Sequence, residues 1–223
     1  MSGRANLRGG AAALRWVAVV ATGLVVLATG CGSSGSDHSD ADGADDPDTY
    51  SGYTVDPPVV VEGVSLPVAD GSGDWQMKAQ PGELNLVFFG YTSCPDVCPT
   101  TMADVRTVLE SLPADEAARV SVAMTTIDPG RDGPEVITDY VHNFVADGTA
   151  LRTDDDTQLR AATEAIGADY EVSTNAEGEV EVSHTGELYA IDDTGTVVMQ
   201  WPFGTSAESL ERDVKSLLAE RAG

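Results

Sequence analysis

Val87-Phe88-Phe89-Gly90-Tyr91-Thr92-Ser93-Cys94-Pro95-Asp96-Val97-Cys98-Pro99 passes from an apolar run, through a short polar turn, into a helix start. With Leu84 and Leu86 the apolar part has the length and composition of a buried strand. Pro99 stands at a first-turn position, and Met102, Val105, Val108, Leu109 and Leu112 follow at helical spacing until Pro113 stops them. The stretch is therefore a strand-turn-helix unit with two cysteines in the turn. Toward the C-terminus the alternation continues. Val120 to Ile127 reads as a strand, and Pro134 opens a helix carrying Val136, Ile137, Tyr140, Val141 and Phe144. Asp156 is a plausible cap for a helix through Leu159, Ala162 and Ile166 that ends at Gly167. After a polar excursion around Asn175 to Gly178, Leu188 to Asp192 and Thr196 to Trp201 read as strands joined by Asp193-Thr194-Gly195, a hairpin signal. Thr205 with Glu208 forms a capping box for a last helix bearing Leu210, Val214, Leu217 and Leu218. Toward the N-terminus, Val59 to Leu66 reads as one more strand. This order predicts an α/β fold, a central mixed sheet flanked by helices with a late antiparallel hairpin.

The 223 residues suit one domain plus extra segments. Lysine and arginine total 12 against 37 acidic residues, a formal net charge of −25. That charge repels phosphate backbones and anionic headgroups, so no nucleic-acid partner is expected and membrane contact must come from something other than a basic surface. Arg4, Arg8 and Arg15 precede an uncharged apolar run from Trp16 to Ala28, too short to span a bilayer as a helix and followed by Thr29, Gly30 and Cys31. Residues 1–30 thus read as a signal peptide of lipoprotein type, with Ala28 where leucine is usual in the lipobox and Leu27 displaced by one. Ordinary cleavage near Gly30 and an uncleaved anchor stay open as readings. In the lipoprotein reading Cys31 is lipidated, and the protein is held at the cell membrane on its extracytoplasmic face. Residues 31–58, rich in Gly, Ser and Asp, form an acidic flexible tether whose like charges extend it, with His38 as a solvated linker residue. Residues 59–223 form the folded domain.

Of the three cysteines, lipidation of Cys31 leaves Cys94 and Cys98 as a pair. At a helix N-terminus the dipole favours thiolate over thiol, and thiolate is both nucleophile and metal ligand. Four-residue spacing brings both sulfurs to one side of the turn, where they could share a metal or oxidise to a disulfide in an oxidising compartment. A soft thiolate pair favours Cu(I), and one imidazole added to it also accommodates Cu(II). His184, just ahead of the Leu188 strand in a histidine-poor domain, is the candidate third ligand, although a lone histidine also serves structural ends. Zinc held by the same three residues stays open. His142 falls off the apolar stripe of its helix and reads as exposed.

The turn quoted above, then Ile127-Asp128-Pro129-Gly130-Arg131-Asp132, then His184 ahead of Tyr189-Ala190-Ile191-Asp192, resembles the Sco/SenC family over roughly residues 55–221. The resemblance implies a thioredoxin fold, copper, as Cu(I) or Cu(II), on Cys94, Cys98 and His184, and Asp128 as a supporting residue. It also implies a copper chaperone that delivers to, or reduces the thiols of, the dinuclear CuA site on a cytochrome c oxidase subunit. Many members have Asp before and Ser after the histidine, where Ser183 and Thr185 stand here, so the hydrogen bonding that orients the imidazole is expected to differ. The rival reading is a thiol-disulfide oxidoreductase using Cys94 and Cys98. Reductases of the thioredoxin type resemble one another in a two-residue spacer between the cysteines and a proline before the late strand. This chain has a three-residue spacer and His184 near that place.

Overall fold

The computed structural model describes residues 49–221. The signal segment, Cys31 and His38 lie outside the described residues. The centre of the fold is the buried run read from the sequence, a strand over Leu84–Gly90 in which every residue is buried. Two short strands precede it, β1 (Ser65–Pro67) and β2 (Asp74–Gln76), which pair with each other, so the run becomes β3. The chain then forms α1 (Val97–Ser111), the single turn α2 (Ala114–Ala117) and β4 (Val120–Thr126). It continues through α3 (Pro134–Phe144), β5 (Thr149–Leu151) and α4 (Asp156–Ile166). Last come β6 (Tyr170–Thr174), β7 (Val180–His184), β8 (Leu188–Ile191), β9 (Val197–Trp201) and α5 (Ala207–Glu220).

The central sheet has the order β5-β4-β3-β8-β9, with β3 parallel to β4 and antiparallel to β8. Successive side chains of β3 face opposite sides. Leu84, Leu86 and Phe88 pack with Met102, Val105 and Val108 of α1 and Leu210, Val214 and Leu217 of α5. Val87 and Phe89 pack with Leu159, Ala162 and Ile166 of α4 on the other side. Burying each such Leu, Val or Phe contributes about 2 kcal/mol, which holds the central strand and the helix after it in a fixed relation. The turn between them sits at the carboxyl end of β3, where open α/β sheets present ligand sites.

The sequence reading needs five local corrections. The expected strand from Val59 to Leu66 is broken: Val60 makes a single bridge to Thr196, and the Val64 amide then closes a turn onto the Val61 carbonyl at 2.8 Å before β1 begins. Val136 is exposed rather than part of the α3 stripe. The cap of α4 is Asp155, not Asp156, since the Asp155 carboxylate accepts from the Thr157 and Gln158 amides. Asp156 instead takes Arg160 and the Tyr170 hydroxyl. The cap of α5 is Ser206, not Thr205. Finally, the fold reaches back into the segment assigned to the tether: Tyr53 pairs with Gln200, and the Ser51 and Gly52 amides donate to the buried carboxylate of Asp213, which also accepts from the Trp201 indole at 2.8 Å. The end of α4 is as read, with Gly167 in the left-handed region at φ 81°.

Candidate metal centre

Phe89 and Gly90 end the central strand, and the chain turns through Tyr91, Thr92 and Ser93 into Cys94. Asp132, wholly buried, fixes this turn from the neighbouring strand's loop: its carboxylate accepts from the Thr92 amide at 3.0 Å, from the Thr92 hydroxyl, and from the Thr126 hydroxyl at 2.6 Å. Gly90 is required by closeness, because a Cβ there would lie 2.6 Å from a Phe88 ring carbon and 2.9 Å from the Cys98 sulfur. Helix α1 starts at Val97, so Cys98 lies in its first turn, and the Cys98 amide points at the Cys94 sulfur 3.3 Å away.

Both cysteines are free thiols, Cys98 buried and Cys94 half-buried. His184, expected only as a residue ahead of the Leu188 strand, is itself the last residue of a strand, β7. That strand pairs with β6 in a separate hairpin, with Tyr170 opposite His184. The hairpin carries the imidazole to the helix start: its Nε2 is 3.7 Å from the Cys98 sulfur, and the candidate ligand atoms of Cys94, Cys98 and His184 all lie within 4.8 Å of one another. The Nδ1 of His184 is 2.8 Å from the Thr185 carbonyl. A carbonyl only accepts, so Nδ1 carries the proton and Nε2 presents its lone pair to the sulfurs, the tautomer a metal ligand needs. The residue after the histidine therefore does orient the ring, but through its backbone. Phe88 and Tyr91 hold the imidazole edge-on, with ring centroids 6.1 and 5.8 Å away.

The electrostatics separate the two thiols. Burial alone pushes the Cys94 thiol up, but the Cys98 and Asp96 amides, the Cys98 thiol and the Tyr91 hydroxyl outweigh it, and the net shift is downward. Burial pushes the Cys98 thiol strongly up, opposed by a backbone hydrogen bond at Tyr91 and reinforced by the charge of Cys94 and Asp132. Burial lowers the His184 pKa, against smaller raising effects of the Thr185 carbonyl and Glu187. Its Nε2 therefore stays unprotonated to a lower pH than that of an ordinary histidine. An outcome follows for the metal-free protein: iodoacetamide should label Cys94 well before Cys98, with the pH midpoint of labelling below that of a free cysteine, as peptide mass spectrometry reads it. Equal labelling, or Cys98 first, would contradict this asymmetry.

Asp128 is buried and pairs with Arg131, and its backbone amide donates to the Thr126 hydroxyl oxygen at 3.1 Å; it is not one of the three clustered ligands. His142 is exposed and reaches the Gly148 carbonyl at 3.1 Å, apart from the cluster. The sequence reading missed the anchoring role of Asp132 and the hairpin beneath His184. The hairpin had a signal in the alternation of Val172, Val180 and Val182 with Glu171, Glu181 and Ser183 around Asn175 to Gly178.

Fold and cluster together define a thioredoxin-like protein with two cysteines and one histidine gathered at its strand-to-helix turn, their ligand atoms close enough to share one metal ion. Residues 70–219 match the SCO1/SenC family, and the chain belongs to that family. A relative from Stutzerimonas stutzeri is 34% identical over 116 residues, 52% of this chain and 56% of that protein. An SCO2-like protein of Rickettsia prowazekii is 31% identical over 131 residues, 58% of this chain and 63% of that one. The matches thus span less than two thirds of these relatives' lengths. Among solved structures, apo Sco1 of Thermus thermophilus is 28% identical with a TM-score of 0.67, covering 76% of this chain and 97% of that one. ScoI of Bradyrhizobium japonicum with copper bound is 26% identical with a TM-score of 0.60, covering 69% and 96%.

Proposed function

We propose that the protein is a copper chaperone that binds one copper ion through Cys94, Cys98 and His184 and passes it to the CuA site of a cytochrome c oxidase subunit. The observation that carries the reading is the convergence of two thiols and an imidazole, their ligand atoms all within 4.8 Å of one another. Two soft sulfurs with one nitrogen fit copper in both oxidation states. The related Bradyrhizobium protein, solved with copper bound, and the family's description as cytochrome c oxidase assembly proteins support the assignment. The asymmetry of the cysteines supports transfer: Cys98 is enclosed, while half-buried Cys94 is the sulfur that an incoming client ligand meets first. Ligand exchange at Cys94, with Cys98 and His184 still holding, moves the ion outward without a free intermediate.

Among the described residues no helix is long and apolar enough to cross a membrane. Attachment is proposed to occur through a lipid on Cys31 at the extracytoplasmic face, with the acidic segment after it as tether. A second reading, reduction of client disulfides, is favoured by the same lowered Cys94 and raised Cys98, the pattern of an attacking and a resolving thiol. The test is to incubate the copper-loaded protein with a reduced, copper-free CuA-bearing domain. Appearance of the CuA absorption with loss of chaperone copper is the expected result. Reduction of the oxidised domain by the copper-free protein, without copper transfer, would favour the second reading.

A further inference from the structure

A chain of contacts leads away from the three ligands to a charged pair that takes no part in holding the metal. The Tyr91 ring stands edge-on to the His184 imidazole, at 88° between planes, and its hydroxyl is among the groups that hold the Cys94 thiol below its ordinary range. Over the same ring lies the guanidinium of Arg131, its central carbon 5.7 Å from the centroid. Arg131 is held there by Asp128, whose side chain is only 5% exposed against 34% for the arginine. Tyr91 thus meets the ligand imidazole edge-on and carries a paired cation over its own ring. In a chain with 12 cationic and 37 acidic side chains, and with Asp132 and Glu187 contributing negative charge near the ligands, a cation anchored at this spot has an electrostatic consequence.

We infer that Arg131, held by Asp128 and acting across Tyr91, is a positioning residue that sets the balance between Cu(I) and Cu(II) in the site. This rests on the copper reading above. Two thiolates and a neutral imidazole around Cu(I) carry one net negative charge, whereas around Cu(II) they are neutral. The two forms differ by one electron and no proton, since the ligands are the same. A nearby positive charge therefore stabilises the Cu(I) form selectively, and partial burial keeps solvent from cancelling the effect. Removing the arginine acts twice in the same direction, because it deletes the cation and leaves the Asp128 carboxylate unpaired. The Asp-Pro-Gly-Arg stretch then couples the loop after β4 to the affinity ratio of a site built on β3, α1 and β7.

The experiment compares wild type with Arg131→Gln, Arg131→Lys and the double variant Asp128→Asn/Arg131→Gln, using separate competition titrations with Cu(I)- and Cu(II)-specific chelators. In Arg131→Gln the ratio of Cu(I) to Cu(II) affinity should fall about tenfold, equivalent to about 59 mV for one electron. Arg131→Lys, which keeps the charge, should remain within about threefold of wild type, and the double variant should return toward it because both charges are gone. A merely structural role predicts the reverse for the double variant, which would lose more than the single one. A ratio in Arg131→Gln within threefold of wild type, or a double variant as low as or lower than the single, overturns the inference and leaves the copper reading standing. Wild-type protein that binds neither ion removes the copper reading and this inference with it.

Discussion

Replacing Cys98 by serine should lower Cu(I) affinity roughly a thousandfold, about 4 kcal/mol at a tenfold change per 1.4 kcal/mol, while leaving the domain folded. The sulfur is fully enclosed between Gly90 and the imidazole of His184, and the helix start holds it in place, so water does not substitute for it without the turn moving. Serine keeps nearly the same shape but offers a hard oxygen that Cu(I) binds poorly. Removing the imidazole instead should act on the other oxidation state. In His184→Ala the two sulfurs remain, which suits Cu(I), whereas Cu(II) loses its nitrogen donor. Competition titrations should therefore show Cys98→Ser impaired mainly for Cu(I) and His184→Ala mainly for Cu(II). Equal losses for both ions in both variants would mean that the ligands do not divide the work in this way.

Asp132→Ala should destabilise the domain by about 3 kcal/mol and weaken copper binding by roughly 10- to 100-fold, although Asp132 is not a ligand. Its wholly buried carboxylate accepts three hydrogen bonds, two from Thr92 in the cysteine turn and one from Thr126 at the end of β4. The Asp132 carbonyl also accepts from the Arg152 guanidinium at 2.8 Å, which ties the same loop to the strand β5 end. Without the carboxylate, the Thr92 amide and the hydroxyl protons of Thr92 and Thr126 lose their acceptor in the interior, and the turn that aims Cys94 loses its brace. For a domain of this size the cost corresponds to a fall in Tm of roughly 6–12 °C. Asp132→Asn retains one acceptor oxygen and should recover part of both losses. Thermal unfolding read together with a copper titration checks the pair of effects, and a stable Asp132→Ala with full affinity would contradict the bracing role.

Much of this architecture is legible in the sequence because the signals are local. The run from Leu84 to Phe89 is apolar but for Asn85 and is buried on both faces, and the α1, α3, α4 and α5 stripes place their core residues at helical spacing. Where two neighbouring residues compete for one role, the pattern does not choose between them. Asp155 and Asp156, like Thr205 and Ser206, differ only in which carboxylate or hydroxyl meets the free amides of the first turn. The hairpin of β6 and β7 is hidden for another reason. Its acidic, mostly exposed strands bury little apolar area, so composition favours a loop while cross-strand pairing builds a ribbon.

The site divides in the same way. The two cysteines are close in sequence, and their turn can be read directly. His184 lies 86 residues from Cys98, and no periodicity encodes the 3.7 Å between them; only pairing with Tyr170 and packing against Phe88 and Tyr91 bring it there. The concern raised by Ser183 and Thr185 beside the histidine is also resolved only in three dimensions, since the orienting acceptor is the Thr185 carbonyl, an atom every residue possesses. Asp132 shows the converse limit: it stood within a recognised motif, but its partner Thr92 is 40 positions away, so its role as a brace becomes visible only in the fold.

The claim that Cys94, Cys98 and His184 together hold copper is tested most directly by X-ray absorption at the copper edge of the reduced protein loaded with one equivalent of copper. The account predicts a first coordination shell of two sulfur and one nitrogen scatterers, with the outer-shell signature of an imidazole that disappears in His184→Ala. A shell of nitrogen and oxygen alone, a single sulfur, or an imidazole signature that survives in His184→Ala would contradict it.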